Sequence, residues 1–245
     1  MCRVNQSADA LSRQQIQQRV DELGPWVHAF EFNGVQYFDS SARPPGVFPK
    51  AIIRERRTED FWQVFPDVRR VLELGALEGA DTVDLARRVG VEWVAVEGRP
   101  ENLRRLEFVL ELNGLRNVSL VLADVEAMDF AELGPFDAAV CSGILYHLQR
   151  PWDLLASLAQ VTPAVFLWTH YWGDENSAVP YGRYLVKEVP ETFPEPRLRG
   201  LAPVSRWLCR DSLFRAARDA GFTAAQVLAE GGEGPAWEIT LALRR

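Results

Sequence analysis

The sequence predicts an α/β fold built on a seven-stranded, mostly parallel sheet that ends in an antiparallel hairpin. The first observation is an alternation of apolar β-type runs and helix-type stretches from residue 69 onward. Strand–helix–strand units at this short spacing form right-handed crossovers in a parallel sheet with helices on both faces. The second observation is a pair of terminal strand-type segments joined by a short glycine-rich turn. Strands joined in this way must be antiparallel neighbours.

Short apolar runs predict the individual strands. The first five are RRVLELG (69–75), WVAVEG (93–98), VSLVLAD (118–124), FDAAVCS (136–142) and AVFLWTH (164–170). The helix-type stretches between them are TVDLARRVG, PENLRRLEFVLELNG and PWDLLASLAQ. The chain then ends with a helix (RDSLFRAARDAGF), a strand (AAQVLAE), a turn (GGEG) and a last strand (AWEITLALRR). Five runs and the terminal pair account for all seven strands.

Two segments lie outside this alternation. Residues 1–65 contain an amphipathic helix over about 8–23, two short extended runs around Asn33-Gly34, and a second helix over about 50–64. We expect this segment to form an N-terminal cap on a domain of residues 66–245, since it shows no core of its own. Residues 172–207 are rich in proline and aromatic residues and show no periodicity. Loops of this length are usually functional, so we predict a substrate lid there.

Composition limits the classes of function. The net charge of -7 disfavours nucleic-acid binding, because neutralising phosphates requires a basic surface. The three cysteines are far apart and predict reduced thiols without a disulfide framework or a metal site. The chain shows no signal-peptide pattern and no apolar run of the roughly 20 residues that span a bilayer. We therefore expect a cytoplasmic protein that does not bind a membrane; the oligomeric state is left open.

Candidate ligand-binding residues follow three of the predicted strands. In an open α/β sheet, ligands bind beyond the carboxyl ends of the strands. The first run ends in ELGALEG (73–79), whose glycines permit a tight turn and close approach to a nucleotide. Glu97, about 20 residues further on, suits a bidentate grip on ribose hydroxyls, and Asp124 is placed to face an adenine. Each has a structural alternative: a turn that binds nothing, a surface acid, or an aspartate that caps a turn.

The fourth and fifth strands lead into candidate catalytic residues. The stretch CSGILYHL (141–148) places Ser142 at a strand end and His147 shortly after it. A histidine at this position suits a general base, because imidazole titrates near neutral pH. The alternative is a histidine that anchors the helix beginning near Pro151. His170, at the end of the fifth strand, presents the same choice and is the second candidate.

Taken together, these residues resemble the class I S-adenosylmethionine-dependent methyltransferases. The resemblance covers about residues 66–245 and rests on ELGALEG, VAVEG, LADV, FDAAVCSGILYHL and the closing hairpin. It implies a Rossmann-like domain that binds S-adenosyl-L-methionine. By this resemblance, the first acid and the glycine loop bind the methionine part, Glu97 the ribose and Asp124 the adenine, with Ser142 near the sulfonium. The implied cofactor-binding residues are Glu73, Gly75, Ala76, Leu77, Gly79, Glu97, Gly98, Asp124, Val125 and Ser142.

Two features depart from the usual pattern of that family. The middle of the loop carries Ala76-Leu77-Glu78 in place of alternating glycines, a form similar to the FkbM-type methyltransferases. We expect Leu77 to be tolerated because close backbone approach is needed only at Gly75 and Gly79. The stretch GILYHLQRP is similar to the wobble-uridine carboxymethyltransferases that act on tRNA. The donor is therefore either S-adenosylmethionine or a modified form such as its carboxylated derivative.

The predicted function is methyl transfer from S-adenosylmethionine to an oxygen or nitrogen of a small-molecule acceptor. A tRNA-modifying (carboxy)methyltransferase is the first alternative, and it would require a basic face formed by Arg54, Arg56, Arg57, Arg197 and Arg199. A non-catalytic cofactor-binding relative is the second. An NAD-dependent dehydrogenase is the least favoured, because no third glycine stands in register for G-x-G-x-x-G.

Overall fold

The computed structural model describes residues 11–28, 30–32, 35–37 and 56–245. The chain divides into two compact units, Met1–Ile53 and Arg54–Arg245. Within the described residues no helix is long and apolar enough to cross a bilayer. The same residues contain no group of His, Cys, Asp and Glu side chains that could hold a metal ion.

The first unit contains one helix and a small hairpin. Helix α1 (Arg13–Leu23) begins at Ser12, whose hydroxyl accepts a hydrogen bond from the Gln15 N–H while the Gln15 side chain accepts from the Ser12 N–H. This reciprocal cap satisfies two N–H groups that a helix start leaves free. Strands β1 (Phe30–Phe32) and β2 (Val35–Tyr37) pair antiparallel, as the two extended runs predicted. The predicted turn Asn33-Gly34 lies outside the described residues, as does the predicted start of the helix before residue 11.

The second unit is a seven-stranded sheet with helices and a small additional sheet. Its helices are α2 (Arg56–Val64), α3 (Ala80–Leu85), α4 (Pro100–Leu112), α5 (Pro151–Val161) and α6 (Arg210–Asp219). The strands of the main sheet are β3 (Arg70–Leu74), β4 (Glu92–Glu97), β5 (Val118–Leu122), β6 (Ala138–Ser142), β7 (Ala164–Trp172), β11 (Ala224–Glu233) and β12 (Ala236–Arg244). Their order is β11-β12-β7-β6-β3-β4-β5, and only β12 runs antiparallel to its two neighbours. The predicted fold class is confirmed.

Apolar side chains cover both faces of the main sheet. Alternate residues of a strand point to opposite faces. Val71 accordingly packs in a cluster with Trp93, whereas Leu72 and Leu74 pack in a second cluster with Leu155. All of these side chains are almost completely buried. Burial on both faces is what the continuous apolar runs of the sequence predicted.

Helix α2 packs with the second unit. The sequence placed this helix in an N-terminal segment that ends at residue 65, but the boundary between the two units falls between residues 53 and 54. The reason is Phe61, which is fully buried with its ring centroid 6.0 Å from that of Trp93 and 5.8 Å from that of Phe166. Whether residues 1–65 act as a cap stays a prediction.

Residues 172–207 contain a three-stranded antiparallel sheet that the sequence did not indicate. Its strands are β8 (Val179–Tyr181), β9 (Tyr184–Pro190) and β10 (Val204–Leu208), in the order β10-β9-β8. Alternation of apolar and polar residues arises only where one face of a strand is buried. All three residues of β8 are exposed and only Val186 of β9 is buried, so no alternation is visible. We call residues 173–207 the insertion.

The closing hairpin turns later than predicted. The stretch GGEG (231–234) was predicted as the turn, but β11 continues through Glu233, which pairs with Ala236. Gly232 lies within the strand, where an added Cβ would approach the Cα of Trp237 to 2.8 Å. Gly232 therefore permits close packing of the two strands, whereas an added Cβ on Gly231 would meet no atom within 4 Å. The turn falls at Gly234-Pro235.

Candidate active site

The loop between β3 and α3 is built from three left-handed residues. Gly75 has φ 71°, Leu77 has φ 52° and Gly79 has φ 87°. Leu77 is the one non-glycine residue at positive φ in the described part of the chain. Its N–H donates a hydrogen bond of 2.9 Å to Oε2 of Glu97, which fixes the orientation of this peptide. The conformational demand that we expected only at Gly75 and Gly79 therefore extends to Leu77, where it costs a residue with a Cβ about 1–2 kcal/mol.

Packing within the protein requires Gly79. An added Cβ would overlap with Cδ1 of Leu106 on α4. Ala76, the residue next to Gly75, is buried in the same apolar cluster as Leu106. The loop thus lies tightly against α4.

Glu73 is buried, and both of its carboxylate oxygens accept hydrogen bonds from other side chains. Oε1 accepts from the Thr82 hydroxyl at 2.9 Å, and Oε2 accepts from the Trp93 indole N–H at 2.5 Å. Burial raises the pKa of Glu73 to about 7 against the opposing effect of the bond from Trp93. In this structure Glu73, the residue predicted to bind the methionine part of the cofactor, joins the first turns of α3 to β4.

The raised pKa of Glu73 predicts a pH-dependent stability. The folded chain keeps this proton up to about pH 7, whereas an ordinary glutamate loses it near pH 4.5. The folded state thus binds more protons in this window, so the free energy of unfolding falls as the pH rises through it. The free energy of unfolding of Glu73→Gln, relative to that of wild type, should rise by about 3 kcal/mol between pH 4.5 and pH 7.5, at 1.36 kcal/mol per pKa unit. Urea unfolding at several pH values measures this difference, and a difference independent of pH would contradict it.

Glu97 ends β4 and holds two backbone segments. Oε2 accepts from the N–H of Leu77, while Oε1 accepts from the N–H of Arg99 at 2.9 Å and from the side-chain amide of Asn102 at 3.3 Å. A carboxylate has about four acceptor positions, so these donors leave one, on Oε2. In this conformation Glu97 has room for one further hydroxyl and not for a bidentate grip. Next to it, an added Cβ on Gly98 would lie 2.8 Å from Cδ1 of Leu201 in the insertion.

Asp124 lies beside Glu97 at the end of β5. The N–H of Ala123 donates to the Glu97 carbonyl at 3.1 Å, which joins the two strand ends. Oδ1 of the exposed Asp124 accepts from the Glu126 N–H at 2.9 Å, so this aspartate does cap a turn. Its Oδ2 makes no hydrogen bond to a described residue. The side chain of Val125 is buried in the core, and the prediction for this residue concerns its backbone.

Ser142, at the end of β6, connects the loop region to α2. Its hydroxyl donates to Oδ2 of Asp81 at 3.2 Å and accepts from Nη1 of Arg57 at 3.0 Å. The guanidinium of Arg57 also lies 4.3 Å from the ring centroid of Trp168 on β7. Ser142 therefore lies where the loop and the ends of β6 and β7 meet.

His147 is paired with a carboxylate from the insertion. It lies in a short 3-10 turn (Leu145–His147), and its Nδ1 is 3.1 Å from both carboxylate oxygens of Glu191. Burial opposes ionisation of Glu191, but hydrogen bonds from His147 and from the Gly200 N–H hold the pKa of this carboxyl below its usual value. An ionised Glu191 accepts a hydrogen bond from Nδ1–H, which leaves Nε2 as the nitrogen without a proton.

An aromatic cluster lies next to His147. It consists of Tyr146, Trp168, His170 and Trp207, and the ring centroids of Tyr146 and His147 are 4.2 Å apart. His170 and Trp207 stack with centroids 5.3 Å apart and an interplanar angle of 10°. Burial lowers the pKa of His170, which favours the neutral imidazole. The structure thus brings both predicted catalytic histidines to one place.

The insertion also reaches the glycine loop through a buried ion cluster. Glu78 is completely buried, with Oε1 3.9 Å from Nε of Arg105 on α4 and 3.6 Å from Nη1 of Arg197 in the insertion. Arg197 also pairs with Glu195 at 2.6 Å. Gly200 lies against the backbone of His147, because an added Cβ there would overlap with the His147 carbonyl oxygen. Residues 195–201 therefore contact the loop and the 3-10 turn at once.

Neither Glu191 nor Glu78 was predicted from the sequence as a site residue. Glu191 lies 44 residues beyond His147, in a segment without periodicity, and no motif marks it. Glu78 was visible as an acid within the glycine loop. A charged residue in a predicted buried turn indicates a buried partner.

The described arginines do not form the basic face that would favour an RNA substrate. Arg57 contacts Ser142 and Trp168, and the Arg197 side chain is nearly buried between carboxylates. Arg199 donates to the carbonyl of Phe193. Arg54 and the side chain of Arg56 lie outside the described residues.

Comparisons with known proteins identify the family. Residues 71–163 match the family model of a methyltransferase domain. The N-terminal domain of EvdMO1, crystallised in the presence of SAH and D-fucose, is 45% identical with a TM-score of 0.89, and the match covers 98% of this chain and 99% of that one. The chain belongs to the class I S-adenosylmethionine-dependent methyltransferases. The predicted family, cofactor and small-molecule methyltransferase activity are confirmed, and membership of this family excludes the dehydrogenase alternative.

Other methyltransferase structures show how far the similarity extends. Full-length EvdMO1 is 39% identical with a TM-score of 0.77, and this chain covers 49% of it, so the chain spans about half of that protein. The glycopeptide N-methyltransferase MtfA in complex with sinefungin is 18% identical with a TM-score of 0.51. The match covers 79% of this chain and 87% of MtfA, and it shows the fold alone. No match was found among curated proteins.

The residues present fit the cofactor of this methyltransferase family. The loop of residues 75–79 has three left-handed positions beside the end of β3, where a backbone can approach a nucleotide closely. Glu97 keeps one acceptor position for a hydroxyl, and Oδ2 of Asp124 is open at the next strand end. These groups would hold the ribose and the adenine.

Proposed function

We propose that this chain transfers a methyl group from S-adenosylmethionine to a hydroxyl of a sugar-like small molecule in the cytoplasm. The observation that carries the proposal is the pair formed by His147 and Glu191 beside the ends of β6 and β7. A hydroxyl acceptor must give up its proton, and such a pair supplies the base. An unprotonated amine does not need a base. The presence of SAH and D-fucose in crystals of the similar EvdMO1 domain supports a sugar acceptor. Cys141 and Cys209 are free buried thiols, which agrees with the reducing cytoplasm.

The chemistry divides between the cofactor and the chain. When bound, the cofactor supplies a methyl group that its sulfonium makes electrophilic. Nε2 of His147 takes the proton of the acceptor hydroxyl, and Glu191 holds Nδ1–H and stabilises the imidazolium that forms. A positioned base of this kind contributes about 10²–10⁴-fold to the rate. Alignment of acceptor and methyl group contributes further, on the order of 7–11 kcal/mol for well-oriented groups.

The insertion serves as the substrate lid in this proposal. Residues 195–201 contact both the glycine loop and the turn that carries His147, so one segment contacts both parts of the site. The insertion also supplies Glu191 and Trp207. A lid that carries part of the site completes it on closure and excludes water from the reaction.

Two measurements test the proposed function. Calorimetry with SAH should show saturable binding, and incubation with S-adenosylmethionine and a panel of sugars should release SAH with formation of a sugar methyl ether. Mass spectrometry and NMR of the product identify the methylated atom. Methylation of amines with no turnover of any hydroxyl acceptor would overturn the proposal in favour of N-methylation.

Glu97→Gln should weaken SAH binding by about 10–100-fold, equivalent to about 1.4–2.7 kcal/mol. The glutamine amide would turn a donor toward the N–H of Leu77 or of Arg99 and so disturb the loop, besides losing charge at the remaining acceptor position. Calorimetry with SAH measures the change.

The matched control is Glu92→Gln, the same substitution at the other end of β4, where the exposed carboxylate pairs with Arg70. It should leave SAH affinity unchanged. Equal affinities of wild type and Glu97→Gln would contradict the assignment of Glu97 to the cofactor site.

A further inference from the structure

Three polar groups of the aromatic cluster lack hydrogen-bond partners among the described residues. Nδ1 of His170 and Nε1 of Trp207 are buried atoms without a partner. The Tyr146 hydroxyl makes no hydrogen bond to a described residue either, although burial raises the pKa of this phenol. Buried polar atoms of native proteins are nearly always bonded, and buried Tyr and Trp usually find a partner for their polar atom. Two such atoms in one cluster, with the Tyr146 hydroxyl in the same cluster, indicate a ligand that supplies the missing partners.

The chemistry of the unpartnered atoms restricts that ligand. Nε1 of Trp207 can only donate a hydrogen bond. Nδ1 of His170 has no partner, and a nitrogen of a neutral imidazole either donates or accepts a hydrogen bond, depending on the tautomer. A ligand hydroxyl can accept from Trp207 and can either donate to or accept from His170, so it suits the stacked pair with both tautomers. An ammonium only donates and cannot accept from Trp207.

The location of the cluster connects this ligand to the reaction. Tyr146 precedes His147 in the chain, and its ring centroid lies 4.6 Å from that of His170 and 5.5 Å from that of Trp207. A molecule bound to the unpartnered atoms therefore lies beside the proposed base. The aromatic faces also suit the apolar C–H side of a sugar ring, as expected for a site with mostly apolar walls and a few polar groups.

We propose that the aromatic cluster is the acceptor subsite for a hydroxyl-bearing ring such as a monosaccharide. Trp207 Nε1–H donates to a ring hydroxyl, His170 Nδ1 forms a hydrogen bond with a hydroxyl, and the Tyr146 hydroxyl completes the contacts. This subsite rests on the proposed function, because it places a second hydroxyl of the same ring beside Nε2 of His147. It also assigns His170 to binding the acceptor, which leaves His147 as the base.

Indole NMR of the intact chain tests the subsite directly. The sequence has eight tryptophans, so a ¹⁵N-labelled sample saturated with SAH gives eight indole N–H signals. Trp207→Phe assigns one signal by its loss, and Trp207→Tyr does so if the phenylalanine variant fails to fold. Titration with D-fucose should move the Trp207 signal downfield as its N–H gains an acceptor. The signal of Trp152, assigned with Trp152→Phe, should stay in place, because this indole stacks on Tyr184 outside the cluster.

Kinetics give an independent readout. Trp207→Phe keeps a ring and removes one neutral hydrogen bond, so KM for the sugar should rise by about 2–12-fold while kcat and SAH affinity stay near wild type. Tyr146→Phe should act in the same direction. Trp152→Phe, which makes the same change in a different aromatic stack, should leave KM unchanged.

The outcomes separate this subsite from the proposed function. If sugars are methylated but the Trp207 signal does not move and Trp207→Phe keeps its KM, the subsite is overturned and the function stands. If the Trp207 signal moves but no sugar is methylated, the subsite stands and the function fails. If there is neither movement nor methylation with D-fucose or any other sugar of the panel, both are overturned.

Discussion

His147→Ala should lower kcat by about 10²–10⁴-fold, the contribution expected of a general base. The affinity for SAH should stay unchanged, since the residues proposed to bind the cofactor follow β3, β4, β5 and β6 and none of them makes a hydrogen bond to His147. The acidic limb of the kcat profile, which reports protonation of the base, should disappear in the variant. Quenched assays of methyl transfer over a range of pH measure kcat and its pH profile, and calorimetry measures the affinity for SAH. Wild-type kcat in His147→Ala would place the base elsewhere.

Glu191 is a positioning residue for this base, and its substitution distinguishes orientation from mere packing. In Glu191→Gln the amide no longer stabilises the imidazolium, so kcat should fall and the acidic limb should move to lower pH. Glu191→Asp keeps the charge and should recover part of the activity. The matched control is Glu188→Gln on β9, three residues before Glu191, where the exposed carboxylate pairs with Arg206. A loss of kcat in Glu191→Gln without a change in the pH profile would assign Glu191 to packing alone.

The main sheet was predictable because its signals are local. Each strand from β3 to β7 is a short apolar run, and all of them except the edge strand β5 are largely buried. Turns between strands and helices carry glycine or proline. Glu97 could be located in the same way, since an acid at the end of the second strand follows from spacing alone. Its hydrogen bonds to Leu77 and Arg99 did not follow, because they depend on how the loop turns after β3.

The acceptor side of the site was not predictable for a physical reason. Glu191 and Trp207 reach His147 and Tyr146 through a small sheet that is half exposed, so no buried face imposes a pattern on its sequence. Glu73 shows a different limit. The spacing marked this residue as a ligand-binding acid, but its oxygens are bonded to Trp93, which lies on the next strand and faces the same side of the sheet. Pairings between strands of this kind are set by the fold and leave no mark on the local sequence.

The largest effect on stability is expected from Glu78→Gln, which removes the negative charge between Arg105 and Arg197. All three side chains are at most 9% exposed, and burial lowers the pKa of Arg105, an effect that Glu78 opposes and Arg197 increases. Removing one member of a buried ionic group leaves the others uncompensated, at a typical cost of about 3–5 kcal/mol. Glu195 still pairs with Arg197 in the variant, so we expect the lower end of this range. Urea unfolding of wild type and variant measures the loss.

The same substitution should affect function, because Glu78 joins the glycine loop to the insertion. If the ion cluster holds residues 195–201 over the loop, Glu78→Gln should weaken SAH binding and raise KM for the acceptor together. Glu195→Gln is the control, since it removes a carboxylate from Arg197 without touching the loop, and it should change SAH affinity less. The double variant Glu78→Gln with Arg197→Gln removes a charge of each sign and should recover part of the lost stability. A loss below about 1 kcal/mol in Glu78→Gln, within the range of exposed ion pairs, would mean that solvent reaches this cluster and that the insertion is held by its apolar contacts.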